Sequence, residues 1–276
     1  MVQLKYILLS LAALTAAFLI SWGLNTYIRG RMTKKPSKQI HLLMILATGI
    51  LLSIMIAEIY FSMYYAADEA ALDVRNERND ITVTEGNGSL FVDGNGEDTA
   101  FIFYPGARVE SAAYLPLMEK LAQSGIDCFV LCPPRRFALL DPEGAERIMD
   151  AYSYSNIIVA GHSLGGRVAS SFALNHPEQV DVLVLLAAYP AGQIDDSIGL
   201  LSIYGSEDLV MSRKEYEAAK QYYPSHSKEV VIEGGNHAGF GAYGAQRGDG
   251  EASISSDTQQ TITAEAIIEF VRENCG

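Results

Sequence analysis

The chain has 276 residues, 49% of them apolar and only 19% charged, with a net charge of −13. That length allows one sizeable domain with appendages or two small domains. So apolar a balance sends the search first to membrane segments, and the acidic surplus argues against nucleic acid as a partner.

From Tyr6 to Ile28 there is no charged residue, and a second charge-free stretch runs from Gln39 to Ala57. A bilayer core of ~30 Å needs ~20 apolar residues in a helix, so spans are expected at about 6–28 and 40–63. Between them lie Arg29, Arg31, Lys34, Lys35 and Lys38 with no acid; short basic loops stay in the cytoplasm. Trp22 and Tyr27 fall at that inner edge, and Tyr60, Phe61, Tyr64 and Tyr65 at the outer one. Glu58 falls at the outer headgroup level beside Tyr60. The competing reading is a cleaved signal peptide with Lys5 in its n-region. The stretch is long for one, no A-x-A-like site closes it, and the basic cluster would then be exported. The expectation is a multi-pass anchor in the cell membrane (residues 1–67), a linker (68–80) and an extracytoplasmic domain (81–276). That charge splits at the boundary: residues 68–276 hold 14 basic and 32 acidic side chains, a net charge of −18. Such a surface disfavours both nucleic acid and anionic lipid.

The exported part reads as strands at 81–85, 89–92 and 100–104, separated by EGNG and DGNGED turn chemistry. A helix with an apolar stripe at Tyr114, Leu117, Met118 and Leu121 follows over 111–125. Strands at 127–132, 156–161, 181–188, 199–205 and 229–234 then alternate with helices at 142–152, 163–176, 213–223 and 263–275. Continuous apolar strands alternating with helices predict a doubly wound, mostly parallel α/β sheet covered on both faces. Cys128 and Cys132 are ~13 Å apart at strand rise, too far for a disulfide. No Cys/His cluster has metal spacing, and neither a metal nor another cofactor is expected.

The strand NIIVAG runs into GHSLGG, placing Ser163 between Gly161 and Gly165 on a strand-to-helix turn. Ligands collect at the carboxyl ends of such strands, and the following helix N-terminus points N–H groups at developing negative charge. Ser163 is the candidate nucleophile. A nucleophilic serine needs a histidine base in reach. His41 lies at the cytoplasmic end of the second span, His162 projects away from the turn, and His176 and His226 lie at the wrong end of the sheet. His237 alone follows both the serine and a strand end. Asp208, three residues after Gly205, is the candidate orienting acid; Glu207 competes, and Asp195 and Asp196 are the fallback. Oxyanion donors are expected from Leu164 N–H and from Ala107 N–H in the loop PGARVE, where Gly106 permits close approach.

GHSLGG, the order Ser163, Asp208, His237 and the loop after the third strand resemble the α/β-hydrolase superfamily over roughly residues 81–275. The likeness is to small bacterial, esterase-like members, with YPG at the oxyanion loop and GGNHAGFGAYG around the histidine. It implies hydrolysis of a carboxylic ester or thioester through an acyl-enzyme. An amidase or peptidase with the same triad is the alternative, as is an idle hydrolase fold used as a binding module. Only YPAGQIDDSI separates two strands where a cap would enter, so no large cap is expected. The site should be open, taking a small-molecule or lipid-like ester. Gly106, Arg108 and Tyr243 are candidate substrate contacts, with Arg247 in the same long segment after His237. The RGD tripeptide there is read as chance.

Overall fold

The computed structural model describes residues 2–75, 82–96 and 98–275. The chain divides into two compact units, residues 1–63 and 64–276. In the first, α1 (Val2–Arg31) and α2 (Lys38–Ser62) form a hairpin across the basic turn, and Ser37 caps α2 by accepting from Ile40 N–H. Small and polar side chains join the two helices. Asn25 Nδ2 donates to Thr48 Oγ1 at 2.7 Å, Ser21 Oγ donates to the Ile45 carbonyl, and Phe18 packs over Gly49. Small residues let the helices approach closely, and polar side chains then hydrogen-bond across them. Among the described residues, α2 alone is long and apolar enough to cross a membrane, with a mean hydropathy of 2.4. Of the expected pair of spans, this criterion supports α2, and α1 packs on it.

The second unit is built on one eight-stranded sheet, ordered β1-β2-β4-β3-β5-β6-β7-β8. The strands are β1 (Val83–Gly86), β2 (Ser89–Val92), β3 (Thr99–Tyr104), β4 (Asp127–Leu131), β5 (Asn156–His162), β6 (Val182–Leu186), β7 (Gly199–Gly205) and β8 (Ser227–Ile232). β1 and β2 run antiparallel; from β4 to β8 every pairing is parallel. Side chains alternate across each strand, so β5 sends Ile158 and Ala160 to one face and Val159 to the other. One face is covered by α4 (Leu115–Ala122) and α8 (Ser256–Asn274), the other by α5 (Gly144–Ala151) and α6 (Leu164–Asn175). α7 (Arg213–Ala219) lies between β7 and β8 in sequence.

Two boundaries depart from the sequence reading. Within the expected linker, α3 (Glu69–Arg75) is a helix whose Ala71 and Val74 are buried, so the compact unit starts at Tyr64 rather than 81. The rest of that linker, 76–80, and Ile81 of the first expected strand lie outside the described residues. The closing helix starts at Ser256 and not at 263, because Ser255 accepts from Thr258 N–H and caps it there.

Candidate active site

β3, β5, β7 and β8 are parallel and end at the same edge of the sheet, so the loops that follow them converge. Ser163 follows β5 directly with φ 54° and ψ −119°. This left-handed φ is costly for a side chain with a Cβ, and strain of this kind collects at functional sites. Three glycines permit the turn. A Cβ on Gly161 would lie 2.5 Å from the Gly165 carbonyl, and one on Gly165 would overlap the carbonyls of Tyr104 and Pro105. One on Gly166 would meet Ala188 Cβ at 2.5 Å. Ser163 N–H is held by the Leu186 carbonyl at 2.9 Å. The helix behind it starts at Leu164.

Asp208 and His237 meet as expected: Asp208 Oδ2 lies 2.8 Å from His237 Nδ1, with side chains 0% and 2% exposed. Asp208 N–H closes a turn on the Gly205 carbonyl, and its Oδ1 accepts from Val210 and Met211 N–H, both at 2.8 Å. A carboxylate fixed on one oxygen by two amides can present only the other to the imidazole. Glu207 is exposed and receives the Ser206 hydroxyl. Asp195 and Asp196 are also exposed; they accept from Ser197 and from Ser225 N–H. His237 Nε2 is buried and makes no hydrogen bond among the described residues, Ser163 Oγ included. In an active site such a hydrogen bond often closes only with substrate bound.

His162, set aside in the sequence reading, lies beside His237. Its ring centroid is 4.6 Å from that of His237, and its Nδ1 is 2.9 Å from the Tyr114 hydroxyl. That hydroxyl also accepts from Gly106 N–H at 3.0 Å. Burial, and then the neighbouring His237, hold the His162 imidazole well below the usual histidine range. Burial pushes the Tyr114 phenol far above its own range. Both are therefore neutral: Tyr114 donates to Nδ1, which puts the His162 proton on Nε2. That nitrogen has no partner within hydrogen-bond geometry, although it lies near enough the His237 main chain to feel it. Tyr114 and His162 thus link the expected oxyanion loop to His237. Only the position of His162 beside the serine hinted at this.

Gly106 fits its place because a Cβ would lie 2.9 Å from both His162 Nδ1 and Tyr114 Oη. Its own N–H is used by Tyr114. Ala107 N–H and Leu164 N–H donate to no hydrogen bond among the described residues. Arg108 is left-handed at φ 59° and donates its N–H to the Arg136 carbonyl at 2.7 Å. Tyr243 is a buried ring, its hydroxyl donating to Gln246 Oε1. Arg247 is exposed.

The loop carrying His237 is braced by side chains that sequence reasoning missed. Asp249, within the RGD tripeptide, accepts from His237 N–H at 3.2 Å and Ala238 N–H at 2.8 Å. Gln259 on α8 accepts from Asn236 N–H at 3.0 Å and donates to the Asn236 carbonyl at 2.8 Å. Asn236 in turn accepts from Gly239 N–H and donates to the Gly250 carbonyl. Between β6 and β7 the chain forms no helix, so no cap covers the site from there. Among the described residues no cluster of His, Cys, Asp or Glu is suited to a metal ion.

The alpha/beta hydrolase family matches residues 100–261. No curated protein sequence matches the chain. Its fold is similar to several solved structures. An α/β-hydrolase enzyme from the sediment metagenome of the Mar Chica lagoon, Morocco, is 15% identical, with 70% of this chain and 99% of that one covered and a TM-score of 0.53. Dienelactone hydrolase from Anabaena variabilis is 17% identical, with coverage of 71% and 99% and a TM-score of 0.51. Est1E from Butyrivibrio proteoclasticus is 15% identical, with coverage of 71% and 98% and a TM-score of 0.50. The sequence match over more than half the chain and the shared sheet agree: this chain belongs to the alpha/beta hydrolase family.

Proposed function

We propose that the protein is a serine hydrolase that cleaves a carboxylic ester or thioester through an acyl-enzyme. The observation that carries this reading is the strained Ser163 at the N-terminus of α6, with a buried Asp208–His237 pair in the same fold. A binding module has no need to keep a serine at φ 54°.

In this mechanism Ser163 Oγ attacks the substrate carbonyl carbon while His237 Nε2 takes the hydroxyl proton. Asp208 holds the imidazole with its proton on Nδ1 and stabilises the imidazolium. The carbonyl oxygen becomes an oxyanion, received by Ala107 and Leu164 N–H; each such donor contributes about 10²–10³ in rate. Collapse breaks the bond to the leaving alcohol or thiol, which takes the proton from His237. Water then repeats the sequence on the acyl-enzyme and releases the acid. An amidase would use the same steps, and the uncapped mouth favours neither leaving group.

The reading places the two helices in the cell membrane, with the basic turn on the cytoplasmic side and the hydrolase unit outside. The positive-inside bias and the apolar α2 support it. A lipid-like or cell-envelope ester at the membrane surface suits such a tether.

The full-length protein in detergent, treated with a fluorophosphonate probe beside Ser163→Ala, tests the proposal. Labelling of the native protein alone is expected, with hydrolysis of p-nitrophenyl esters lost in the variant by about 10⁵-fold or more. A folded native protein that neither labels nor hydrolyses would leave the idle binding module as the better account.

A further inference from the structure

The segment between α2 and the sheet is built into the loops of the site. α2 ends at Ser62, and two residues on Tyr64 sets its ring 3.6 Å from the Arg136 guanidinium. Tyr65 forms a parallel bridge with Val109. Its N–H donates to the Arg108 carbonyl at 2.8 Å, and its carbonyl accepts from Glu110 N–H at 2.9 Å. Ala67 N–H donates to Glu110 Oε2 at 3.0 Å. The loop Gly106–Glu110, which carries Ala107, is therefore held from outside by the strap and from inside by Tyr114 and the Arg136 carbonyl.

The same strap reaches the segment after the histidine. Asp68 N–H donates to the Ala242 carbonyl at 2.9 Å, and the Tyr65 hydroxyl accepts from Arg247 N–H at 3.3 Å. The Tyr65 ring lies 5.6 Å from that of Tyr243, which in turn lies 6.5 Å from that of Tyr114. Two residues beyond Arg247, Asp249 braces His237. One short stretch thus ties the oxyanion loop to the loop of the base. Arg108 also needs external restraint, since a left-handed arginine relaxes unless its neighbours hold it. The strap lies outside residues 100–261, the part matched to the family.

We propose that Tyr65 is a positioning residue for the hydrolase reaction: the strap Tyr64–Asp68 sets the oxyanion loop, so turnover depends on residues continuous with the apolar helix. This rests on the serine-hydrolase reading above. A main-chain shift of about 1 Å at a donor costs on the order of 10²-fold in rate, which sets the scale of the effect.

The test uses the full-length chain in detergent micelles, with p-nitrophenyl acetate as substrate and fluorophosphonate labelling as a second readout. Tyr65→Pro removes the N–H that meets Arg108. Tyr65→Phe keeps the bridge and the ring and loses only the hydroxyl. Expected for Tyr65→Pro is a fall in kcat of about 10- to 100-fold, with a matching loss of labelling rate, KM nearly unchanged and the thermal transition retained. Tyr65→Phe, which loses only the Arg247 bond, should lower kcat by less than the proline variant does. A folded Tyr65→Pro with native kcat, or a loss confined to KM, overturns the proposal. If the proline variant does not fold, Tyr65→Ala and Glu110→Ala carry the test, and native kcat in both overturns it. Native protein that neither labels nor turns over refutes the hydrolase reading itself; native activity with no effect at Tyr65 refutes only the strap.

Discussion

The serine turn and the histidine loop sit at the same edge of the sheet and are held by different means. Around Ser163 the obstacle to any other sequence is steric: Gly161, Gly165 and Gly166 lie close together in the chain and face main-chain carbonyls, those of Tyr104 and Pro105 at the end of β3 among them, or a packed methyl. Around His237 the restraint is polar and distant, supplied by Asp208, Asp249 and Gln259, of which the last is 22 residues further along the chain. Steric demands are met by residues that must be small, and they leave a local pattern. Hydrogen-bond demands are met by any acceptor that reaches, so they leave no pattern at a fixed spacing.

Gly165→Ala presses hardest on this comparison. Its Cβ would overlap two main-chain carbonyls, which cannot move without shifting β3. Overpacking of this kind costs about 3 kcal/mol, and with the turn displaced, turnover should fall by about 10³-fold. Gly239→Ala offers the contrast. Its Cβ meets the end of the Gln259 side chain, which can turn aside at the expense of the Asn236 bonds. A cost of about 1–2 kcal/mol is expected. Equal losses of stability in chemical denaturation would dissolve the distinction between the two regions.

Asp249→Ala should give a smaller effect on activity and sharpen the account of the histidine loop. It strips the acceptors from His237 and Ala238 N–H. A loss of about 2 kcal/mol in stability and of roughly 10-fold in kcat is expected, read by urea unfolding and ester hydrolysis. Native kcat in this variant would mean that Gln259 and Asn236 hold the loop without it.

How far the sequence can be read follows the same division. The sheet was legible because buried parallel strands are continuous apolar runs, as in VLVLL of β6. Ser163 and its glycines were legible because the turn is a local steric problem. Asp208 was separable from Glu207 by its place in the turn after Gly205, and that turn forms. Asp249 was not legible: its neighbours spell a tripeptide that chance produces, and its partners lie 11 and 12 residues away. Nor was α3, since DEAALDVRNERND looks like a charged linker and only Ala71 and Val74 of its described part are buried. The contact of His162 with His237 was not legible for a related reason: the two rings are brought together only by the fold.

His162 supplies the smallest effect, visible only as a slope. Its imidazole is held neutral in the folded protein by burial, whereas in the unfolded chain it titrates near about 6.5. Between those two values the unfolded state binds more protons, so stability rises with pH across that window. The contribution is fully present above about pH 6.5 and is lost as pH falls toward the folded-state value, at up to about 1.4 kcal/mol per pH unit. His162→Asn keeps an acceptor for the Tyr114 hydroxyl and removes the titration. Its absolute stability should drop because the ring packing on His237 and Phe240 is lost. The informative quantity is the difference in slope of unfolding free energy between about pH 7 and pH 5.5, because other titrating groups are common to both proteins. A shallower slope in the variant is expected. Parallel slopes would mean that His162 is protonated with the same ease folded and unfolded, so that burial does not hold its imidazole neutral.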